Sequence, residues 1–361
     1  MAHPLKFLLS GPGLIGRKHA EILLANADTI LPVIVAPAHD PNIKFIKDYG
    51  ARHYTSVEEA LASERFDAAI IASPNIFHGD QTLACLNAGL PTLVEKPLAD
   101  SLGDAARIAR ASESLGVPVL VGHHRTHSPL LGVAKSFLDS AEFGRLVSVF
   151  GSAQFYKPGD YFEAGPWRAK KGGGPILINL IHEIGFLRYL AGEIGSVSAT
   201  ASKSVRSFEV EDTVGIVFTF ENGAIGTFLL SDTAASSKSW EMTAGENPVY
   251  PNFPDQDCYH FAGEMGSLDF PSMRTRTYLD APKRTWWGPF REGQLGSEHR
   301  DPLVLQIDHF IRVIRGEARP LVSAHDGYRN MLVLTAITRA AEERRTVSVT
   351  EIAAEAKVSG A

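Results

Sequence analysis

"LKFLLSGPGLIGRKHAEILLAN" (residues 5–26) runs from a short apolar stretch through three glycines into a helical pattern. Leu5 to Leu9 has the length of a buried strand, and Ile15, Ala20, Ile22 and Leu23 recur at the spacing of one helix face. Between them Gly11, Gly13 and Gly16 have the G-x-G-x-x-G spacing. Three such glycines alone are a weak signal. Between a strand and a helix they have the context in which a helix N-terminus and close backbone N–H groups hold a pyrophosphate. Gly11 permits the tight turn, Gly13 the approach of the phosphate, and Gly16 the close packing of helix on sheet.

The alternation continues outward from this stretch. "ILPVIVA" (30–36), "FDAAIIAS" (66–73), "PTLVEKP" (91–97) and "VPVLVGHH" (117–124) read as strands, and 42–50, 56–64, 78–89 and 101–116 as helices. The strands are continuous apolar runs, as a parallel sheet covered on both faces requires. The expected fold class is α/β, with a doubly wound parallel sheet in residues 1–124. A second domain is expected over 125–350, with strands at 146–156, 196–205, 212–223 and 224–232 and helices at 304–316 and 326–343. Residues 351–361 read as a short helix or loose tail.

The chain of 361 residues is 44% hydrophobic and 21% charged, an ordinary globular composition, and its length favours two domains. A net charge of −6 argues against a nucleic-acid surface. Cys85 and Cys258 are too few for a disulfide framework or a cysteine zinc site, which suits a reducing compartment. "MAHPLKFLLSGPG" lacks a basic signal region and no apolar stretch has spanning length, so a cytoplasmic location without a membrane partner is expected. His123, His124 and His127 have no carboxylate or cysteine cluster beside them, and adjacent strand residues point to opposite faces, so no metal site is expected.

One element of a dinucleotide site is absent. The acid that grips the ribose hydroxyls belongs about 20 residues past the glycines, at the end of the second strand. Ala36 stands there; Asp40 follows four residues late, in a position to cap the next helix, and His39 and Lys44 are the nearby cations. NAD and NADP both remain open.

Taken together, "GPGLIGRKHA" (11–20), "ASPNIFH" (72–78), "VEKPLA" (94–99), "GHHRTHSP" (122–129), "GGGPILINLIHEI" (172–184), "FENGAIGTFLLSD" (220–232) and "DGYRNMLVLTAI" (326–337) resemble the Gfo/Idh/MocA family of dehydrogenases along nearly the whole chain. The resemblance implies a Rossmann domain followed by an α/β domain whose large, mostly antiparallel open sheet carries the substrate pocket and the contacts of a homodimer or homotetramer. It implies cofactor contacts from Gly11, Gly13, Leu14, Ile15, Gly16, Ala36, Ser73, Pro74, Asn75, His78, Glu95, Lys96 and Arg168. Lys96 corresponds to the family's catalytic lysine, and Glu95 to a contact with the nicotinamide ribose.

The family pattern also sets an aspartate four and a histidine eight residues past the last glycine of the GGG run. Here those positions are Ile178 and His182, with Asn179 one place later. An asparagine can orient a hydroxyl but cannot act as a base, so the proton work falls to Lys96 and His182. Lys96, Arg125, Tyr156, Trp167, Asn179 and His182 are the expected contacts of a small polyhydroxylated substrate, with Trp240 and Glu241 nearby in the pocket. The reading is an NAD(P)-dependent dehydrogenase moving hydride to or from a ring carbon of a sugar, cyclitol or related hydroxy compound. The alternatives are an NAD-dependent glycoside-cleaving enzyme that oxidises transiently and a non-catalytic NAD(P) sensor.

Overall fold

The computed structural model describes residues 3–279, 284–296 and 298–359. The chain divides into two compact units: Met1–His127 with Pro302–Met331 and Ala356–Ala361, and Ser128–Asp301 with Leu332–Glu355.

In the first unit six parallel strands, β1 (Leu5–Ser10), β2 (Thr29–Val35), β3 (Arg52–Tyr54), β4 (Ala68–Ile71), β5 (Thr92–Glu95) and β6 (Val119–Gly122), lie in the order β3-β2-β1-β4-β5-β6. That order reverses between β1 and β4, the switch point at which open α/β sheets bind ligands. The intervening helices are α1 (Leu14–Ala25), α2 (Asp40–Asp48), α3 (Val57–Ser63), α4 (His78–Asn87) and α5 (Leu102–Leu115). The three-residue β3 is too short to produce a periodic signal, and the sequence reading passed over it.

The alternation of the pleat sorts the strand residues into two cores. Leu8, Ala69, Ile71, Val94 and Val121 meet Val57, Ala60, Cys85, Leu86, Ala105 and Ile108 of α3, α4 and α5. Phe7, Leu9, Ile34, Ile70, Leu93 and Leu120 meet Ala20 and Leu23 of α1 and Phe45 and Ile46 of α2. The same core contains Ile307, Phe310, Ile311 and Val313 of a helix at Pro302–Ile314. Each such side chain contributes about 1.5–3 kcal/mol when buried. The two helices α1 and α2 are short cover for six strands, and Pro302–Ile314 supplies the rest. This differs from the sequence reading, which kept residues 302–331 with the second domain. The chain continues along β6, where the Val121 N–H donates to the Val322 carbonyl at 2.8 Å.

In the second unit nine strands form one sheet: β7 (Leu146–Gln154), β8 (Ile194–Ser202), β9 (Thr213–Phe220), β10 (Ile225–Ser231), β11 (Tyr259–Gly263), β12 (Gly266–Phe270), β13 (Arg274–Tyr278), β14 (Phe290–Gln294) and β15 (Val347–Ser348). Their order is β14-β13-β12-β11-β7-β10-β9-β8-β15, antiparallel except for the central β7–β10 pair. One face is packed under the helix Ile181–Ala191, whose Phe186 ring lies 4.5 Å from that of Tyr259. The other leaves Phe150, Val217 and Leu229 half exposed, the alternation of a sheet covered on one side. Strands β11 to β14 were not foreseen.

One further expectation is corrected, and of the short helix or loose tail expected at 351–361 the structure shows the helix. Trp240 is a core residue, 4% exposed, with its ring 5.4 Å from Phe270 and its indole N–H donating to Glu246 at 3.1 Å, so it does not line a pocket. The end of the chain is a packed helix, Val349–Ser359: Ile352 is buried, and Arg339 pairs with Glu355 at 2.7 Å.

Candidate functional site

At the C-terminal edge of the parallel sheet the glycines do separate jobs. Gly11 has φ +89°, and a Cβ there would stand 2.5 Å from the backbone of Ser73 at the end of β4. Only glycine admits that conformation and that approach. A Cβ on Gly16 would run into the Gly11 carbonyl, so this position holds α1 against the loop. Gly13 is different: it is the N-cap of α1, and a Cβ on it would meet nothing within 4 Å. No side chain caps α1 and no acid lies in its first turn. Its free N–H groups and positive dipole end therefore face open space, which fits a phosphate. Leu14 beside it is 88% exposed and Ile15 partly so.

The hydroxyls of Ser10 and Ser73 both donate to Gln81 Oε1, at 2.9 and 2.8 Å, tying the ends of β1 and β4 together across the switch point. Pro74 and Asn75 lie exposed at the start of a short 3-10 turn. His78 is buried, with its ring nitrogens 2.7 Å from the Pro97 carbonyl and 2.9 Å from the Ser73 carbonyl. It braces the two segments on which Ser73 and Lys96 stand. Ala36 is 2% exposed at the end of β2, and its carbonyl accepts from His53 Nε2 at 2.8 Å. Asp40 does not cap α2; His39 is the N-cap and Asp40 the first helical residue.

Glu95 ends β5 and is buried. Its Oε1 lies 2.8 Å from Nε2 of His19, a fully buried residue of α1. Burial pushes the Glu95 carboxyl up, but the His19 hydrogen bond and charge, with Lys96 beside it, override this and hold it below the usual range. Gly122 on β6 makes room for it, since a Cβ there would stand 2.8 Å from the carboxylate. The next residue, Lys96, is thereby anchored to the helix that begins at the phosphate loop. Its peptide bond to Pro97 is cis. The 3-10 turn His124–His127 follows β6, so Arg125, buried, reaches the same sheet edge. His124 is driven down to about 4 by burial and by Arg125 and stays neutral at physiological pH.

The remaining expected residues lie in the second unit. Parallel pairing of β7 and β10 brings the C-terminal ends of two strands side by side, and Lys157 and Asp232 emerge there together. The Lys157 N–H donates to the Asp232 carbonyl at 2.9 Å. Arg206 clamps the pair, donating from Nη2 to the carbonyls of Lys157 and Asp232 at 2.6 Å each and from Nε to Asp232 Oδ1 at 3.1 Å. Lys157 Nζ donates to Asn179 Oδ1 at 2.6 Å and lies 4.8 Å from the Tyr161 ring. Burial lowers this amine to about 8, against the opposing pull of Asp232 and Glu241. Asp232 is raised by burial, incompletely offset by Lys157 and Arg206.

Asn179 stands on a π-helical turn, Ile176–Leu180, which runs into the helix Ile181–Ala191. Such wide turns insert a residue into helical register. The i to i+3 face expected for Asn179 and His182 is therefore not that of a regular α-helix. His182 is 8% exposed in the first turn of that helix, while Ile178 is partly buried. The turn is pinned by Glu211, whose Oε1 accepts the Ile176 N–H at 2.9 Å; a Cβ on Gly174 would stand 2.6 Å from the same oxygen. Tyr156 (62% exposed) and Trp167 (54%) are open to solvent. Arg168 donates to the Tyr161 carbonyl at 2.5 Å and stacks over the Tyr161 ring at 4.0 Å.

Lys96 and Arg125 thus share the first unit with the glycine loop, and Lys157, Arg168, Asn179 and His182 belong to the second. His19, Arg206 and Asp232 were not among the expected site residues. Asp232 had a visible signal, an acid closing an apolar strand in "FLLSD", the same pattern that singled out Glu95. Among the described residues no group of three or more His, Cys, Asp or Glu is placed to hold a metal, and no helix is long and apolar enough to cross a membrane.

A glycine loop at the switch point of a six-stranded parallel sheet, joined to a unit built on a large, mostly antiparallel sheet, is the architecture of a dinucleotide-dependent oxidoreductase. Comparison with known proteins agrees. The family described as "Oxidoreductase family, NAD-binding Rossmann fold" matches residues 5–123, and the "GFO/IDH/MocA C-terminal domain" matches residues 133–269. The chain belongs to the Gfo/Idh/MocA oxidoreductase family. It is 24% identical to the myo-inositol 2-dehydrogenase of Thermotoga maritima, over 95% of this chain and 98% of the relative. A 4-carboxy-2-hydroxymuconate-6-semialdehyde dehydrogenase of Sphingobium sp. is 37% identical over 127 residues, 35% of this chain and 40% of the relative. In fold the chain is similar to the WlbA dehydrogenase of Bordetella pertussis, solved with NADH and UDP-GlcNAcA, with a TM-score of 0.77, 22% identity and coverage of 96% and 99%.

Proposed function

We propose that the protein is a dehydrogenase that moves hydride between a nicotinamide dinucleotide and a ring hydroxyl or ketone of a sugar, cyclitol or related polyhydroxylated compound. The observation that carries this is the end of β5: a reactive-type lysine held next to a buried, ionised glutamate that is itself bonded to the phosphate-loop helix. The dinucleotide, when bound, supplies the hydride acceptor or donor. The glycine loop and the N-terminus of α1 would hold its pyrophosphate, with Ser73, Pro74 and Asn75 along its edge and Glu95 at a ribose.

Lys96 takes the hydroxyl proton as the alcohol is oxidised and returns it to the carbonyl oxygen in the reverse direction. His182 assists, and Asn179 orients a hydroxyl, a role within the reach of an amide that already accepts from Lys157. Arg168, stacked on Tyr161, is assigned to the cofactor or to a substrate oxygen. The names of the inositol dehydrogenase and of the sugar-nucleotide complex support the substrate class. The domain limits 1–124 and 125–350 belong to this reading, with residues 302–331 completing the cofactor-binding part.

The test is a screen of the purified protein with NAD and NADP against sugars, inositols and sugar acids, following nicotinamide absorbance. Reduction of cofactor by at least one such compound, abolished in Lys96→Met, is expected. Release of an aglycone from glycosides without accumulation of reduced cofactor would replace this reading by the glycoside-cleaving one.

A further inference from the structure

The end of β2 lacks a carboxylate for a ribose, yet a cation stands beside it. Arg17, in the first turn of α1, donates from Nε to the Pro12 carbonyl at 3.0 Å. Its guanidinium lies over the ring of Phe45 on α2 at 4.4 Å. One contact is to the phosphate loop and the other to the helix that follows β2. The group is therefore held beside the C-terminal end of β2, where Rossmann folds seat the adenosine ribose. Among the described residues Arg17 forms no ion pair.

A guanidinium stacked on an aromatic ring keeps its planar edge of donors for an anion, and its side-chain entropy is already spent. Ala36 carries no negative charge to repel a phosphate, and its buried backbone is fixed by His53. His39, the N-cap of α2, is exposed. Asp40, exposed in the first turn of α2, is the opposing charge.

We infer that Arg17 is a 2′-phosphate ligand and that the chain prefers NADP to NAD. The inference rests on the cofactor cleft proposed above and names the form of the dinucleotide it takes. The cation comes from α1 and not from the segment that follows β2.

The experiment is calorimetric titration of the intact chain and of Arg17→Ala and Arg17→Lys with NADP, NAD, adenosine 2′,5′-bisphosphate and adenosine 5′-monophosphate. Wild type is expected to bind the two 2′-phosphorylated compounds about tenfold tighter than their counterparts, the worth of one charge-assisted contact. Arg17→Ala should bring each pair to near equality, and Arg17→Lys should keep part of the difference. Because Arg17 is only partly buried and bonds a single carbonyl, its loss should leave the fold intact, checked by thermal melting. Tighter binding of NAD, with Asp40→Ala weakening NAD, would make Asp40 the ribose partner and overturn the inference while keeping the cleft. Failure of wild type to bind any of the four would overturn the cleft and the inference together.

Discussion

Strands β5 and β10 each lead into a buried carboxylate, Glu95 on the last residue of one and Asp232 just past the other, and the two groups behave oppositely. Glu95 lies below the ordinary carboxylate range and Asp232 above it. Burial acts against ionisation in both. Glu95 has a 2.8 Å hydrogen bond from a fully buried imidazole, whereas Asp232 has a guanidinium at 3.1 Å, an ammonium at 3.9 Å and the like charge of Asp212 nearby. At Glu95 the close imidazole bond acts together with the neighbouring Lys96 charge, whereas at Asp232 the guanidinium also bonds two carbonyls, the ammonium stands farther off and Asp212 opposes ionisation. The lesson is that a strand-end acid is set by the geometry of its donors and not by how many charges surround it.

The largest expected effect separates chemistry from scaffold at the first strand end. Lys96→Met should lower kcat about a thousandfold with dinucleotide affinity retained, measured by steady-state kinetics beside a binding titration. Equal loss of both would make Lys96 a binding group.

Next comes the direct contrast. Glu95→Gln should destabilise the protein by about 3–4 kcal/mol in chemical denaturation, since it leaves His19 with a broken buried pair. Asp232→Asn should cost about 1 kcal/mol or less, because its neutral form is already the easier one to bury. Equal costs would sink the comparison.

The pH dependence carries the same signs. Glu95 has its folded pKa below the unfolded value, so its stabilisation is complete above that unfolded value, near 4.5, and disappears as pH falls through the folded one. Asp232 is the reverse: the unfolded chain gives up its proton first, from 3.8, so its ionisation erodes stability as pH rises toward the folded pKa. Denaturation between pH 3 and 6 of wild type against each variant, at intervals of roughly one unit, resolves the two opposite slopes.

A further effect concerns Lys157, which is about 8 when folded against 10.5 unfolded. Between those values the unfolded chain binds more protons, so wild type should gain on the order of 2 kcal/mol relative to Lys157→Met as pH rises. A flat difference would mean that the amine is hydrated.

Much of the first unit was legible because its signals are local. "GPGLIG" lies between a strand and a helix, and Gly11 and Gly16 were assigned the turn and the close packing that a positive φ at the one and tight contacts at both now explain. The second sheet was legible where strands are long and joined by a tight turn, as at Asn222-Gly223, and illegible over β11 to β14, which are only five residues each and of which β13 (RTRTY) and β14 (FREGQ) carry little apolar period. Candidate site residues were singled out where a motif marks them and passed over where only long-range packing does. His19 reaches Glu95 across 76 positions, and Arg206 reaches Asp232 across 26. Neither spacing has any local periodic meaning.

The helix at Pro302–Ile314, which closes one face of the parallel sheet, bears on how the chain is made. A ribosome releases β1 to β6 long before it reaches Phe310, so Leu93 and Leu120 wait without part of their cover through some 180 residues of further synthesis. Fragments cut after residue 127 should collect in inclusion bodies, and rescue should come from supplying the later peptide in trans.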